Sequence, residues 1–164
     1  AIPDPLWSRG LGDVYKRQIR DDPDFVVMAR TDSRTEFGIN EAIDRMNAYI
    51  EAGADVAFVE SPESIDEMRT VNEQIPAPTL ANMVEGGRTP FIKTTELQEL
   101  GYDLAIYPGS MGRVLGRSGT HVLEHLKKEG TTEGMEDWMF DQPNLFALFD
   151  YKDWTDYEAN FGKR

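Results

Sequence analysis

Cysteine is absent from the 164 residues, which excludes disulfides, thiolate metal sites and a cysteine nucleophile within this chain. Histidine occurs only twice, and positive charge is scarce: 17 Lys and Arg stand against 30 Asp and Glu, a net charge of -13. Nucleic acid and anionic membrane are excluded as partners, because both would be repelled. Any anionic ligand has to be held by local cations. No apolar run approaches the roughly 20 residues needed to cross a bilayer, and no segment has the pattern of a signal peptide. The expectation is a cytoplasmic protein without a membrane partner. What is present is ordinary: 40% hydrophobic and 29% charged residues, in a chain long enough for one domain with a sizeable core.

From Phe25 onward a short apolar run, a polar loop and an amphipathic stretch recur. The first run is FVVMA, followed by Arg30, Thr31 and Asp32 and by a helix with Ile43, Met46 and Ile50 on one face, stopped at Gly53. The second is DVAFVE, followed by a helix carrying Ile65, Met68, Val71 and Ile75, with Ser61 as its cap and Pro62 at its first position. The third is PTLANM, then the EGG loop and a short helix through Leu97 and Leu100 that stops at Gly101. The fourth is DLAIYP, then a stretch from Met111 to Lys128 in which Gly112, Gly116 and Gly119 weaken the helical pattern.

Strands apolar on both faces, alternating with helices, predict a parallel sheet covered by helices, hence an α/β fold. Four units of similar length suggest half of a (β/α)8 barrel, whose full form has eight strands and about 250 residues. A doubly wound open sheet is the alternative, although no Gly-rich dinucleotide fingerprint follows the first strand. Residues 1–18, AIPDPLWSRGLGDVYKRQ, have no usable period and read as a non-native, adapter-like leader. The domain expected is 19–164. Its tail, from Met135 to Phe161, is dense in aromatic residues and is expected to pack against the barrel or a neighbouring subunit.

In a barrel, functional groups gather where strands end and loops begin. Each predicted strand delivers a polar group there: Arg30, Glu60, Asn82 and, just past the fourth, Arg113. Each also has a structural explanation: an ion pair of Arg30 with Asp32, a helix start favoured by Glu60, loop backbone satisfied by Asn82. Their joint placement favours a site. Two arginines clamp carboxylate or phosphate through parallel hydrogen bonds. An amide donates to a developing oxyanion, and Glu60 either accepts a substrate hydroxyl or orients a metal-bound water. The Gly86 and Gly87 pair, between Glu85 and Arg88, reads as the rim of a site that handles an anion or as an ordinary turn. His121 and His125 share a helix face in HVLEH, but a zinc site needs a third protein ligand and none is evident.

FVVMARTD, YIEAGAD, FVES, LANMVEGGRTP and AIYPGSMGR, in that order, resemble the isocitrate lyase and phosphoenolpyruvate mutase superfamily, especially its 2-methylisocitrate lyase and 2,3-dimethylmalate lyase branch. The resemblance runs from about Ile19 to the C-terminus. It implies the C-terminal half of a (β/α)8 TIM barrel, strands five to eight, with a helical tail whose final helix is swapped in a homodimer or tetramer. It also implies magnesium-dependent cleavage of a carbon-carbon bond in a 2-hydroxy dicarboxylate, giving a keto acid. By the same resemblance Arg30 and Glu60 act in catalysis, and Arg30, Glu60, Asn82 and Arg113 bind the small dicarboxylate substrate.

Three departures qualify this. The family's magnesium-binding aspartates and its Lys-Arg-Cys-Gly-His loop precede the fifth strand and do not occur in this sequence, so the chain alone is expected to bind no metal and to be inactive. Val84 stands where some relatives carry threonine. DQPNLF, from Asp141 to Phe146, replaces a stretch containing an arginine, which favours a dicarboxylate over a tricarboxylate. A phosphonopyruvate-type mutase or hydrolase, and a non-catalytic acid-binding paralogue, are the alternatives. Open strand edges predict aggregation of the isolated half.

Overall fold

In the computed structural model, Asp22 and residues 24–161 are described, so the leader reading of 1–18 lies outside the described residues. The chain divides into two compact units, one ending at Ser110 and the other beginning at Met111.

The first unit contains β1 (Met28–Thr31), α1 (Arg34–Phe37), α2 (Ile39–Glu51), β2 (Val56–Val59), α3 (Ile65–Gln74), β3 (Leu80–Asn82), α4 (Thr94–Glu99) and β4 (Leu104–Ile106). β1 pairs in parallel with β2, Arg30 opposite Phe58, and β3 pairs in parallel with β4, Asn82 opposite Ile106. A parallel bridge between Ala57 and Thr79 joins the two pairs. The strands therefore follow one another in chain order with no reversal. That is barrel order, and it removes the doubly wound alternative, whose strand order reverses at a switch point. The predicted α/β half barrel is the fold of this unit.

Two strand starts are fixed by the same device. The Asp55 carboxylate accepts the Val27 amide at 2.8 Å, and the Asp103 carboxylate accepts the Thr79 amide at 2.9 Å. Because Asp55 engages Val27 at this point, pairing begins at Met28, and β1 starts later than the FVVMA run predicts. Phe25 and Val26 are exposed, and Arg30 lies inside the strand.

The preceding helix ends match as well. Gly53, with φ of 105°, and Gly101, with φ of 99°, adopt the left-handed conformation that glycine tolerates best. The next residue, Ala54 or Tyr102, returns its amide to the carbonyl of Tyr49 or Leu97, completing a Schellman closure.

Ile43 and Met46 of α2 are buried against Ala29, Ala57, Val59 and Val71. Met68, Ala81, Met83, Leu97 and Tyr102 form a second cluster. Burial pushes the Tyr102 phenol above its ordinary pKa.

The start of α3 differs from expectation. Ser64, not Ser61, is the cap, accepting the Glu67 amide at 3.1 Å, and Pro62 precedes the helix. Ser64 and Glu67 have capping-box spacing, but Glu67 reaches back to the amide of Glu63 at 2.6 Å. Ser61 is left in the loop with φ of 58°, rare for a residue with a side chain.

The second unit holds most of α5 (Ser110–Glu129), a 3-10 turn at Glu136–Trp138, α6 (Gln142–Leu148) and α7 (Tyr151–Phe161). α5 is continuous through Gly112, Gly116 and Gly119: each glycine costs about 1 kcal/mol relative to alanine, and none breaks a 20-residue helix. The tail aromatics from Trp138 to Phe161 are exposed, and Phe146 stacks on Tyr151 at 4.8 Å. Among the described residues no helix is long and apolar enough to cross a membrane.

Candidate active site

Three of the four residues singled out from the sequence meet in the first unit. Arg30 is third in β1, Glu60 directly follows β2 and Asn82 ends β3, so adjacent parallel strands present them side by side. The Glu60 amide donates to the Thr31 carbonyl at 3.0 Å, which extends the ladder and fixes where the Glu60 side chain leaves the backbone. The Asn82 amide donates to the Glu60 carboxylate at 3.2 Å, and Arg30 Nη2 lies 3.4 Å from the same oxygen, Oε2. Ser61 Oγ donates to Oε1 at 3.2 Å.

Arg30 is held on three sides. Its Nε and Nη2 donate to Asp32, at 3.0 Å and 2.7 Å, and its guanidinium lies 4.7 Å from the ring centre of Phe58, its partner across the strands. The hydrogen bond to Asp32 raises the guanidinium pKa, burial opposes this, and the charge of Glu60 reinforces it. The Arg30 to Asp32 pair foreseen as a structural explanation therefore exists, and the contact with Glu60 exists beside it.

Asn82 is the site's most informative residue. Its Nδ2 is committed to Glu60, while its buried Oδ1 has no hydrogen-bond partner. A buried acceptor left unpaired costs on the order of 1 to 3 kcal/mol, which the site bears in this structure. It opens on a cavity of about 230 Å³ lined by Glu60, Ser61, Asn82, Val84, Gly87, Arg88 and Thr89. The strained Ser61 backbone belongs to this wall, and such conformations persist where surrounding structure holds them.

That surrounding structure includes an ion cluster the sequence reading missed. Arg34 bridges Glu63 at 2.6 Å and Glu67 at 2.7 Å, tying α1 to the loop that carries Ser61. The hydrogen bond from Arg34 holds the Glu67 carboxyl below its ordinary value, burial opposes it, and the Glu63 amide adds to the lowering. Only the Ser64 to Glu67 spacing hinted at this in the sequence. Arg88, noted in the sequence only as a flank of the glycine pair, is a wall of the cavity.

Arg113 lies on α5, in the second unit. His121 packs on Trp138 with ring centres 4.7 Å apart, and His125 Nε2 meets the Glu133 carbonyl at 3.0 Å.

Among the described residues no group of three or more His, Asp or Glu side chains is arranged to hold a metal. Glu60 is a single carboxylate already engaged by Arg30 and Asn82, which does not make an oxygen cage for magnesium. The arrangement can bind and orient an acid, accept a hydroxyl proton and donate an amide hydrogen bond.

Comparison with known proteins identifies the family of this fold. The phosphoenolpyruvate phosphomutase family matches residues 9–127, beginning within the segment read as a leader. 2,3-Dimethylmalate lyase of Eubacterium barkeri is 52% identical over 120 residues, which are 73% of this chain and 42% of that protein. 2-Methylisocitrate lyase of Halalkalibacterium halodurans is 42% identical over 142 residues, 86% of this chain and 47% of that protein. A crystal structure of 2,3-dimethylmalate lyase, a member of the PEP mutase/isocitrate lyase superfamily, superposes with a TM-score of 0.77 at 32% identity, covering 85% of this chain and 49% of its own. The chain thus spans about half the length of these relatives. With the family match extending over most of its residues, the chain belongs to the phosphoenolpyruvate phosphomutase family of the PEP mutase/isocitrate lyase superfamily.

Proposed function

We propose that the protein containing this sequence is a carbon-carbon lyase that cleaves a 2-hydroxy acid, a dicarboxylate of the dimethylmalate type or a tricarboxylate of the methylisocitrate type, to a keto acid. The observation that carries this reading is the contact of Asn82 and Arg30 with one carboxylate, Glu60, at the wall of a cavity of about 230 Å³. In the reaction, Glu60 accepts the hydroxyl proton of the substrate as the adjacent carbon-carbon bond breaks. The hydroxyl carbon becomes the ketone, and the electron pair stays on the leaving carbon as the enolate of a carboxylate, which a proton then quenches. Asn82 aligns the hydroxyl, and Arg30 offsets the negative charge of the acid.

Magnesium, if bound, would polarise the substrate oxygens. Residues other than those described would have to hold it. An upstream half supplying those ligands, a homo-oligomeric assembly, a contribution of Arg113 to substrate binding and a cytoplasmic location are parts of the same proposal.

The test is release of keto acid from 2,3-dimethylmalate and 2-methylisocitrate, with magnesium, by the complete coding sequence from the source and by the 164-residue chain. Turnover by the first and none by the second is expected. A complete protein that cleaves neither acid overturns the lyase reading. The family's description favours a second reading, rearrangement between phosphoenolpyruvate and a phosphonopyruvate. Turnover of that compound alone would establish it.

A further inference from the structure

We infer that Arg88 is a substrate-selecting residue, the anchor for the far acid group of a substrate whose hydroxyl end lies at Glu60 and Asn82. Arg88 lines the same cavity as those two residues. The other arginines of the first unit with described ion pairs are committed to carboxylates: Arg30 to Asp32 and Glu60, Arg34 to Glu63 and Glu67, Arg45 to Glu41, and Arg69 to Asp66. Arg88 is different. Among the described residues it pairs with no carboxylate, and its contact is to a neutral hydroxyl, Thr35 Oγ1, at 2.9 Å from Nη1.

In a chain of net charge -13, a cavity-lining cation without an internal carboxylate is where an external anion gains most. Thr35 takes one guanidinium hydrogen bond and leaves the second amino group and Nε for an acid, which a planar guanidinium holds through two parallel bonds. The cavity then has two chemically distinct sides. Glu60, held in place by Asn82 Nδ2, accepts from a hydroxyl, and Arg88 donates to a carboxylate or phosphonate. An acid without a hydroxyl would leave one side unanswered. This deepens the proposed function and rests on its placement of the hydroxyl end.

The test uses the 164-residue chain, titrated with malate, methylphosphonate and acetate while the backbone amide signals of Gly86, Gly87 and Thr89 are followed by NMR. Malate, which carries a hydroxyl and a far acid group, is expected to bind more tightly than acetate, and R88Q to weaken malate roughly tenfold or more, with R88K retaining part of the affinity. T35V, which removes the orienting hydroxyl without touching charge, is expected to give a smaller loss. Circular dichroism melts identify any variant that fails to fold, and T35V then carries the test. Methylphosphonate displacing malate with an equal response to R88Q supports an anchor for either acid group. Malate affinity unchanged in both R88Q and T35V, or no binding by the parent chain, overturns the inference. N82A separates the two readings: loss in R88Q with none in N82A keeps the Arg88 anchor and discards the hydroxyl placement at Asn82.

Discussion

The segments β1 to β2 and β3 to β4 close with the same local chemistry and finish with different packing. Each connecting segment ends in a glycine at positive φ, an apolar residue that closes a Schellman turn, and an aspartate that captures the amide at the start of the preceding strand. Yet β2 is buried at every position, and β4 is exposed at every position. The difference lies in what surrounds them: β2 lies between β1 and the bridge to Thr79, with Ile43 and Met46 of α2 in its core, whereas β4 pairs among the described residues with β3 alone, and Leu97 of the six-residue α4 packs in a cluster without β4 residues. Helix closures and strand starts are local properties, fixed within a few residues. Burial is not local, because a parallel strand needs a layer on each face.

The largest expected effect breaks the comparison at its core. Met46→Ala, at a fully buried position, should cost about 2 to 5 kcal/mol, and Leu104→Ala, 43% exposed, about 0.5 kcal/mol or less. Urea unfolding midpoints measure both. Equal losses would show that β4 is as well packed as β2 in solution.

The shared aspartates sharpen the comparison next. Asp55→Ala and Asp103→Ala each remove the acceptor of a strand-start amide, at a cost of about 1 to 3 kcal/mol. The Asp103 substitution should be the worse, because Thr79 is 2% exposed while Val27 is only half-buried. Amide exchange at Val27 and Thr79 reads each site directly, and a larger rise in rate at Val27 in Asp55→Ala than at Thr79 in Asp103→Ala would reverse the ranking.

The smallest effect concerns the ion cluster that Arg34 of the first segment forms with Glu63 and Glu67. Arg34 holds the Glu67 pKa below its ordinary value of 4.5, so the folded state binds that proton less readily than the unfolded chain. This stabilisation is complete above about pH 4.5 and fades as pH falls through the lower, folded value. Glu67→Gln should therefore lower the unfolding midpoint at pH 6 and make little difference at pH 3. A constant deficit at both pH values would mean that Glu67 acts through packing.

The strand and helix pattern was legible because apolar periodicity and glycine stops are written in neighbouring residues. The meeting of Arg30, Glu60 and Asn82 was legible by a single rule, that parallel strands bring their C-terminal ends together. The cap at Ser64 was misplaced to Ser61 because both serines lie in one loop, and the choice between them turns on Glu67 being drawn to Arg34 from another element. Arg88 was visible only as a charge beside two glycines, since its partner Thr35 lies far away in the chain.

By itself, the sequence determined the α/β alternation, the helix ends at Gly53 and Gly101, the absence of cysteine and the placement of Arg30, Glu60 and Asn82 at strand ends. These depend on spacing within a segment or on the fixed direction of parallel strands. Tertiary structure alone decided that Asn82 would commit its amide nitrogen to Glu60 and leave its oxygen unpaired, that Ser61 would be held at positive φ, and that Arg88 would face the cavity without a carboxylate. Each of these is a competition for hydrogen bonds among side chains from different strands and loops, and its outcome is set by distances that exist only once the chain has folded.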